Sequence, residues 1–209
     1  EQYGASKNIA NTAMIYHAGK FLALQEGAHP FELKLPNLDP VGEVDYEGRL
    51  KHPFTAHPKI DPRTGELVTY GYNVTSKPYC SVSLITKAGE LIHTTDVDIP
   101  KPVMMHDCAI TSNHTVIMDL PCVFDFGRMA EGKSMLYFEE ENGSRFGVLA
   151  RGADGNEIKW FDVDSCYCYH TVNASEDGDE IVVEGCRSER NSIGDDVKPQ
   201  AGDRSDLPM

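Results

Sequence analysis

Short apolar runs alternate with turn-forming residues along almost the whole chain. Ala13-Met14-Ile15-Tyr16 is followed by His17-Ala18-Gly19-Lys20 and then by Phe21-Leu22-Ala23-Leu24, which predicts strand, tight turn, strand. The same grammar recurs. Leu67-Val68-Thr69-Tyr70-Gly71-Tyr72 follows the turn Asp61-Pro62-Arg63-Thr64-Gly65, and Ser81 to Thr86 is separated from Leu91-Ile92-His93-Thr94 by Lys87-Ala88-Gly89-Glu90. Ala109-Ile110-Thr111 leads through Ser112-Asn113-His114 into Thr115 to Asp119. Phe146 to Ala150 and Ile158 to Phe161 flank Gly152-Ala153-Asp154-Gly155, and Glu180 to Cys186 is another β-branched run.

No stretch of about 12 residues or more sustains an apolar period of 3.6, so helices are not expected. The pattern predicts an all-β protein of many hairpins, for which a sandwich, a barrel and a propeller are the open architectures. Repeated hairpins with loops rich in Asp and Gly fit a propeller best. Residues 1–190 are expected to form part of one such domain. Residues 191–209, rich in Gly, Asp, Pro and Ser, predict a loop or connector that stops before the next strand.

The chain has 209 residues and begins at Glu1, so an internal fragment is the expectation. With 19 Lys and Arg against 33 Asp and Glu the net charge is −14, and there is no basic stripe. Nucleic-acid binding needs such a stripe and is set aside. No apolar run approaches the roughly 18 residues of a membrane span, so the piece is expected to be soluble, with peripheral membrane contact left open for the full-length protein. Six cysteines include no CxxC pair, so buried free thiols are expected rather than a zinc site.

Of eight histidines, His17, His29, His52, His93 and His114 sit among turn residues or polar strand ends and are expected at the surface. Three others follow apolar or aromatic stretches, where a strand end would project an imidazole out of the core. They are His57 in Phe54-Thr55-Ala56-His57-Pro58, His106 in Val103-Met104-Met105-His106-Asp107, and His170 in Cys166-Tyr167-Cys168-Tyr169-His170. Roughly 50 residues part the first two and a little over 60 the second two, far beyond a local helical HExxH motif. Successive propeller blades could bring them to one axis. Spacing alone favours satisfied core histidines.

The segments around these residues resemble the motifs of the carotenoid cleavage oxygenases. Phe54-Thr55-Ala56-His57-Pro58-Lys59-Ile60-Asp61-Pro62 looks like that family's first ligand motif, and Pro102 to Thr111 like its second. Cys168-Tyr169-His170, then Val172-Asn173-Ala174 and Asp179-Glu180-Ile181-Val182, is similar to the third. Asn11-Thr12-Ala13, Leu22 to Gly27, Met118-Asp119-Leu120-Pro121, Arg145 to Leu149 and Ile158 to Phe161 match the intervening segments in order.

The resemblance implies part of a seven-bladed β-propeller whose loops form a dome over the metal axis. It implies Fe(II) held by His57, His106 and His170, with Glu26 as the carboxylate behind His106. Imidazole suits that metal, and a ligand histidine commonly gives its other N–H to a carboxylate. The implied partners are an apolar polyene and O2, and the implied reaction is oxidative cleavage of a conjugated carbon–carbon double bond in a carotenoid or apocarotenoid. Stilbene cleavage, retinoid-type isomerohydrolysis and an inactive structural propeller segment are the alternatives. Stilbene-cleaving relatives tend to carry a lysine before that glutamate; here it is Gln25. Ser175 stands where family members often have an aromatic residue. No histidine follows His170, so the fourth ligand and two further glutamates are expected outside the chain, and residues 1–209 alone are expected to hold iron weakly. Asp107 and Glu176 are expected as surface or loop carboxylates. Plastid and cytoplasm are both compatible with these segments.

Overall fold

A computed structural model describes residues 8–191 and 193. Most of the predicted C-terminal connector therefore lies outside the described residues. Three four-stranded antiparallel sheets follow one another along the chain. The first is a meander of β1 (Ala13–His17), β2 (Lys20–Leu24), β3 (Phe31–Lys34) and β4 (Asp39–Glu43). The second repeats it with β5 (Lys59–Ile60), β6 (Leu67–Tyr72), β7 (Cys80–Ile85) and β8 (Leu91–Val97). The third joins β9 (Cys108–Ile110), β10 (His114–Asp119), β13 (Ser144–Ala150) and β14 (Lys159–Val163) in that spatial order. A short hairpin, β11 (Cys122–Phe124) and β12 (Leu136–Phe138), branches off between β10 and β13. A long hairpin, β15 (Tyr167–Asp177) and β16 (Glu180–Ser188), follows. Helical structure among the described residues is limited to three short 3-10 turns, and no helix is long and apolar enough to cross a membrane.

Local chemistry sets these elements. His17 pairs with Lys20, leaving Ala18 and Gly19 as a two-residue turn with φ of 49° and 79°. That double positive φ matches the twist of the flanking strands and favours glycine at the second place. β6 is buried along nearly its whole length, whereas β8 alternates between buried and exposed positions. A strand covered on both faces loses the period-2 signal, and one covered on a single face keeps it.

The sheets stack face against face. Leu22, Leu24, Leu50, Phe54, Leu67 and Ile85 fill the space between the first and second sheets. Tyr70, Val97, Ile99, Met105, Ile117 and Leu149 fill that between the second and third. Burying side chains of this size contributes about 1.5–3 kcal/mol each, so these seams carry the stability. All six cysteines are free thiols, five buried and Cys186 exposed.

Polar residues cross the seams too, which corrects several expectations. His17 is buried and its Nε2 donates to the Gly65 carbonyl at 3.0 Å. His52 is buried as well. Its Nδ1 donates to the Pro53 carbonyl at 2.6 Å, so its Nε2 accepts from the Ser83 hydroxyl at 2.7 Å. Burial holds the His52 pKa below the ordinary value. Both fell among turn-forming residues in the sequence, but those turns abut a neighbouring sheet.

Glu176 also belongs to a seam. It lies within β15 and receives hydrogen bonds from the Thr111 hydroxyl, the Asn113 amide N–H at 2.9 Å, the Asn113 side chain at 2.8 Å and His114 Nδ1 at 3.1 Å. The Thr111 bond first, then those of His114 and Asn113, hold its carboxyl at about 2, against an ordinary 4.5. A depressed folded-state pKa gives stability that is complete above pH 4.5 and lost as pH falls toward 2. Glu176→Gln should therefore lower stability at pH 7 and flatten this acid limb. Urea unfolding at pH 7 and near pH 3 checks it: the gap between wild type and variant should shrink at the lower pH.

Candidate metal centre

His57 and His106 sit just ahead of β5 and β9, the first strands of the second and third sheets, and His170 lies in β15, the first strand of the next hairpin. Those strands are neighbours, so ligands remote in sequence meet. The ring centroids are 4.7 Å apart for His57–His106, 4.7 Å for His57–His170 and 4.8 Å for His106–His170. One nitrogen of each ring lies within 4.8 Å of the others.

Each histidine is placed by identifiable contacts. The segment before His57 is strapped down by Phe54 N–H to Ala28 O at 3.0 Å and Thr55 N–H to Tyr70 O at 2.7 Å. The His57 N–H then donates to the Thr55 hydroxyl at 3.0 Å. The residues before His106 are held by two phenols: Tyr70 donates to Met105 O at 2.7 Å and Tyr167 to Met104 O at 3.1 Å. His170 does not stand at a strand end as expected. It occupies an irregular stretch of β15, where the register shifts between Cys168 and Thr171 and again between Thr171 and Asn173. Such bulges re-aim side chains and are frequent beside active sites.

Glu26, in the loop after β2, meets His106. Its Oε1 accepts from His106 Nδ1, and its Oε2 accepts from the Tyr72 hydroxyl at 2.6 Å. With its proton on Nδ1, His106 presents a bare Nε2 lone pair. Burial alone would raise the Glu26 pKa, but the bonds from His106 and Tyr72 outweigh it and the net shift is downward. The same bond to Glu26 raises the His106 pKa against the effect of burial. His57 is pushed the other way, by burial first and then by the neighbouring His106.

The donor set fits a divalent metal. His57 Nε2 is buried and has no hydrogen-bond partner. Leaving such an atom unsatisfied costs about 1–3 kcal/mol, a cost that a bound cation removes. Three imidazoles with one open nitrogen apiece suit a borderline ion such as Fe(II). Neither a thiolate nor a hard, all-oxygen set is present among the clustered donors.

Sequence reasoning missed several residues that build this site. Asp107 is buried, not a surface carboxylate, because the start of β9 is covered by β5 and β15. Tyr72, Tyr70 and Lys59 also went unassigned. The available signal was adjacency: Asp107 follows His106, and Lys59 stands two residues after His57. Tyr169, by contrast, packs its ring edge-on to His106 at 5.7 Å and anchors its hydroxyl on Asn191 at 2.6 Å.

Comparison with known proteins agrees with this architecture. The family model described as retinal pigment epithelial membrane protein matches residues 1–207. The pea carotenoid 9,10(9',10')-cleavage dioxygenase 1 is 44% identical over 189 residues, covering 88% of this chain and 35% of that protein. The chain thus spans about a third of the length of such curated relatives. The crystal structure of Pseudomonas brassicacearum lignostilbene dioxygenase superposes with a TM-score of 0.83 at 29% identity, over 91% of this chain and 40% of that one. Cobalt-substituted Synechocystis apocarotenoid oxygenase superposes with a TM-score of 0.76 at 26% identity, over 88% and 41%. The chain belongs to the retinal pigment epithelial membrane protein family, which includes the carotenoid cleavage dioxygenases.

Proposed function

We propose that these residues form most of a non-haem Fe(II) centre that cleaves a conjugated double bond of a carotenoid or apocarotenoid with O2. The observation that carries this is the convergence of His57, His106 and His170 with an orphaned Nε2 on His57. On this reading the three sheets and the long hairpin are consecutive parts of a seven-bladed propeller. A fourth histidine, two further glutamates and the dome over the axis come from elsewhere in the full-length protein.

Held by His57, His106 and His170, iron(II) would supply the activation of O2. The chain's own residues do the rest. Glu26 fixes the tautomer of His106, and Tyr72 in turn fixes Glu26. The Tyr169 ring packed edge-on to His106 adds aromatic surface beside the proposed site, which suits a polyene. The balance is simple: one alkene and one O2 give two carbonyl compounds, each keeping one oxygen atom. Gln25, a neutral amide, cannot stabilise a phenolate as a lysine ammonium would. That, with 44% identity to a carotenoid enzyme against 29% to a lignostilbene enzyme, favours polyenes over stilbenes.

The test is incubation of the full-length protein with a carotenoid under 18O2. Cleavage places label in both carbonyl products. Isomerohydrolysis gives no chain-shortened carbonyl, and turnover of hydroxystilbenes alone would move the substrate class.

A further inference from the structure

Asp107 is a carboxylate with 1% of its side chain exposed, and its contacts reach all three histidine-bearing segments. Oδ1 pairs with Lys59 Nζ at 2.7 Å, two residues beyond His57, and accepts from the Cys108 N–H at 2.8 Å. Oδ2 accepts from the Thr171 N–H at 3.0 Å and lies 3.2 Å from the Thr171 hydroxyl, one residue beyond His170. That hydroxyl is also 3.0 Å from the Cys108 carbonyl, so its single proton is shared between two acceptors. Asp107 itself follows His106. The Thr171 N–H belongs to the register shift of β15, where ladder pairing is interrupted and a donor needs another acceptor.

A buried ion pair is weak evidence for stability, because desolvating two charges offsets most of their attraction. What such a pair supplies well is geometry. Lys59 is 28% exposed and keeps one side toward water, while Asp107 has none. The carboxylate therefore depends on this set of partners. The His170 ring makes only a long ion-pair contact with it: its Nδ1 stands 3.6 Å from Oδ2, too long for a hydrogen bond. Asp107 thus acts on the chain segments that carry the rings, unlike Glu26, which holds one ring directly.

We propose that Asp107 and Lys59 form a positioning clamp that sets the placement of His57, His106 and His170 relative to one another. The clamp rests on the metal-site reading above and adds to it a residue pair that touches neither metal nor substrate.

The test uses full-length protein with Asp107→Asn, Lys59→Met and Lys59→Arg. Three quantities are measured: Co(II) affinity by titration, the d–d absorption spectrum of the cobalt-loaded protein, and the Tm of the metal-free form. Asp107→Asn and Lys59→Met should each weaken Co(II) binding about 10–100-fold, the usual cost of losing a partner outside the ligand set, and should change the spectrum. Lys59→Arg should restore both. It also keeps the test decisive if Asp107→Asn fails to fold, because Lys59→Met against Lys59→Arg still isolates the ion pair. A lower metal-free Tm with unchanged affinity and spectrum would overturn the clamp and leave a purely structural pair. Wild-type protein that binds no Co(II) would instead overturn the metal site on which the clamp rests.

Discussion

Replacing His106 with alanine in the full-length protein should abolish polyene cleavage and strip the bound metal. The ring supplies the Nε2 lone pair that its own Nδ1–H···Glu26 contact exposes, and its removal also leaves Glu26, half-buried, with Tyr72 as its one hydrogen-bond partner among the described residues. Loss of an outer partner costs about 10–100-fold in metal affinity, and loss of a ligand should exceed that range. Glu26→Gln separates the two effects. The amide oxygen still accepts from His106 Nδ1 but carries no charge, so the variant should fall within the 10–100-fold range. Metal content after dialysis against a chelator, read beside kcat, distinguishes them. A His106→Ala protein that keeps its metal and its activity would remove His106 from the site.

Gly71→Ala should be the most damaging small substitution in the described part of the chain that bears on the site. An added Cβ at Gly71 would stand 1.7 Å from the Pro53 carbonyl oxygen and 2.6 Å from His52 Nδ1. The first of these is backbone and cannot rotate away. Relief requires moving the segment from His52 to His57 off β6, against the Thr55–Tyr70 and Phe54–Ala28 hydrogen bonds. Overpacking of this kind costs about 3 kcal/mol, and the displaced segment ends at a candidate ligand. The variant should therefore lose both Tm and metal affinity. Gly27→Ala is the control, because its Cβ would meet only Gln25 Nε2 at an ordinary 3.5 Å, and its stability should change by less than about 0.5 kcal/mol. Equal Tm values for wild type and Gly71→Ala would show that the close approach of β6 to Pro53 is not held in solution.

Much of the β architecture was legible because its strands carry apolar or β-branched runs between strong turns. β1, β2, β6, β7, β8, β10, β13, β14 and β16 all follow such runs. β4 did not, since Asp39-Pro40-Val41-Gly42-Glu43 is poor in strand-forming residues. It is tolerated as an edge strand with only β3 beside it, where Pro40 breaks no inner ladder. β11 and β12 are three residues each, too short for any period. β15 is long, but its second half is polar and its register shifts hide the alternation.

At the site, the histidines were readable only through the motifs around them, because ligands from separate sheets have no fixed spacing. Glu26 was placed by the same resemblance. Asp107 was not, because the residues that bury it, near positions 59 and 171, converge only in the folded chain. His52 and His17 escaped for a related reason. A turn residue looks exposed in sequence until a neighbouring sheet covers it.

The proposed chemistry requires the metal. X-ray absorption at the iron edge of the purified full-length protein, with iron counted per chain, addresses it directly. One iron per chain is predicted, with a first shell of imidazole nitrogens and no sulfur, and the iron should be lost in His57→Ala. A protein free of iron as purified and unable to take it up, or an iron shell containing thiolate sulfur and unchanged by His57→Ala, would contradict it.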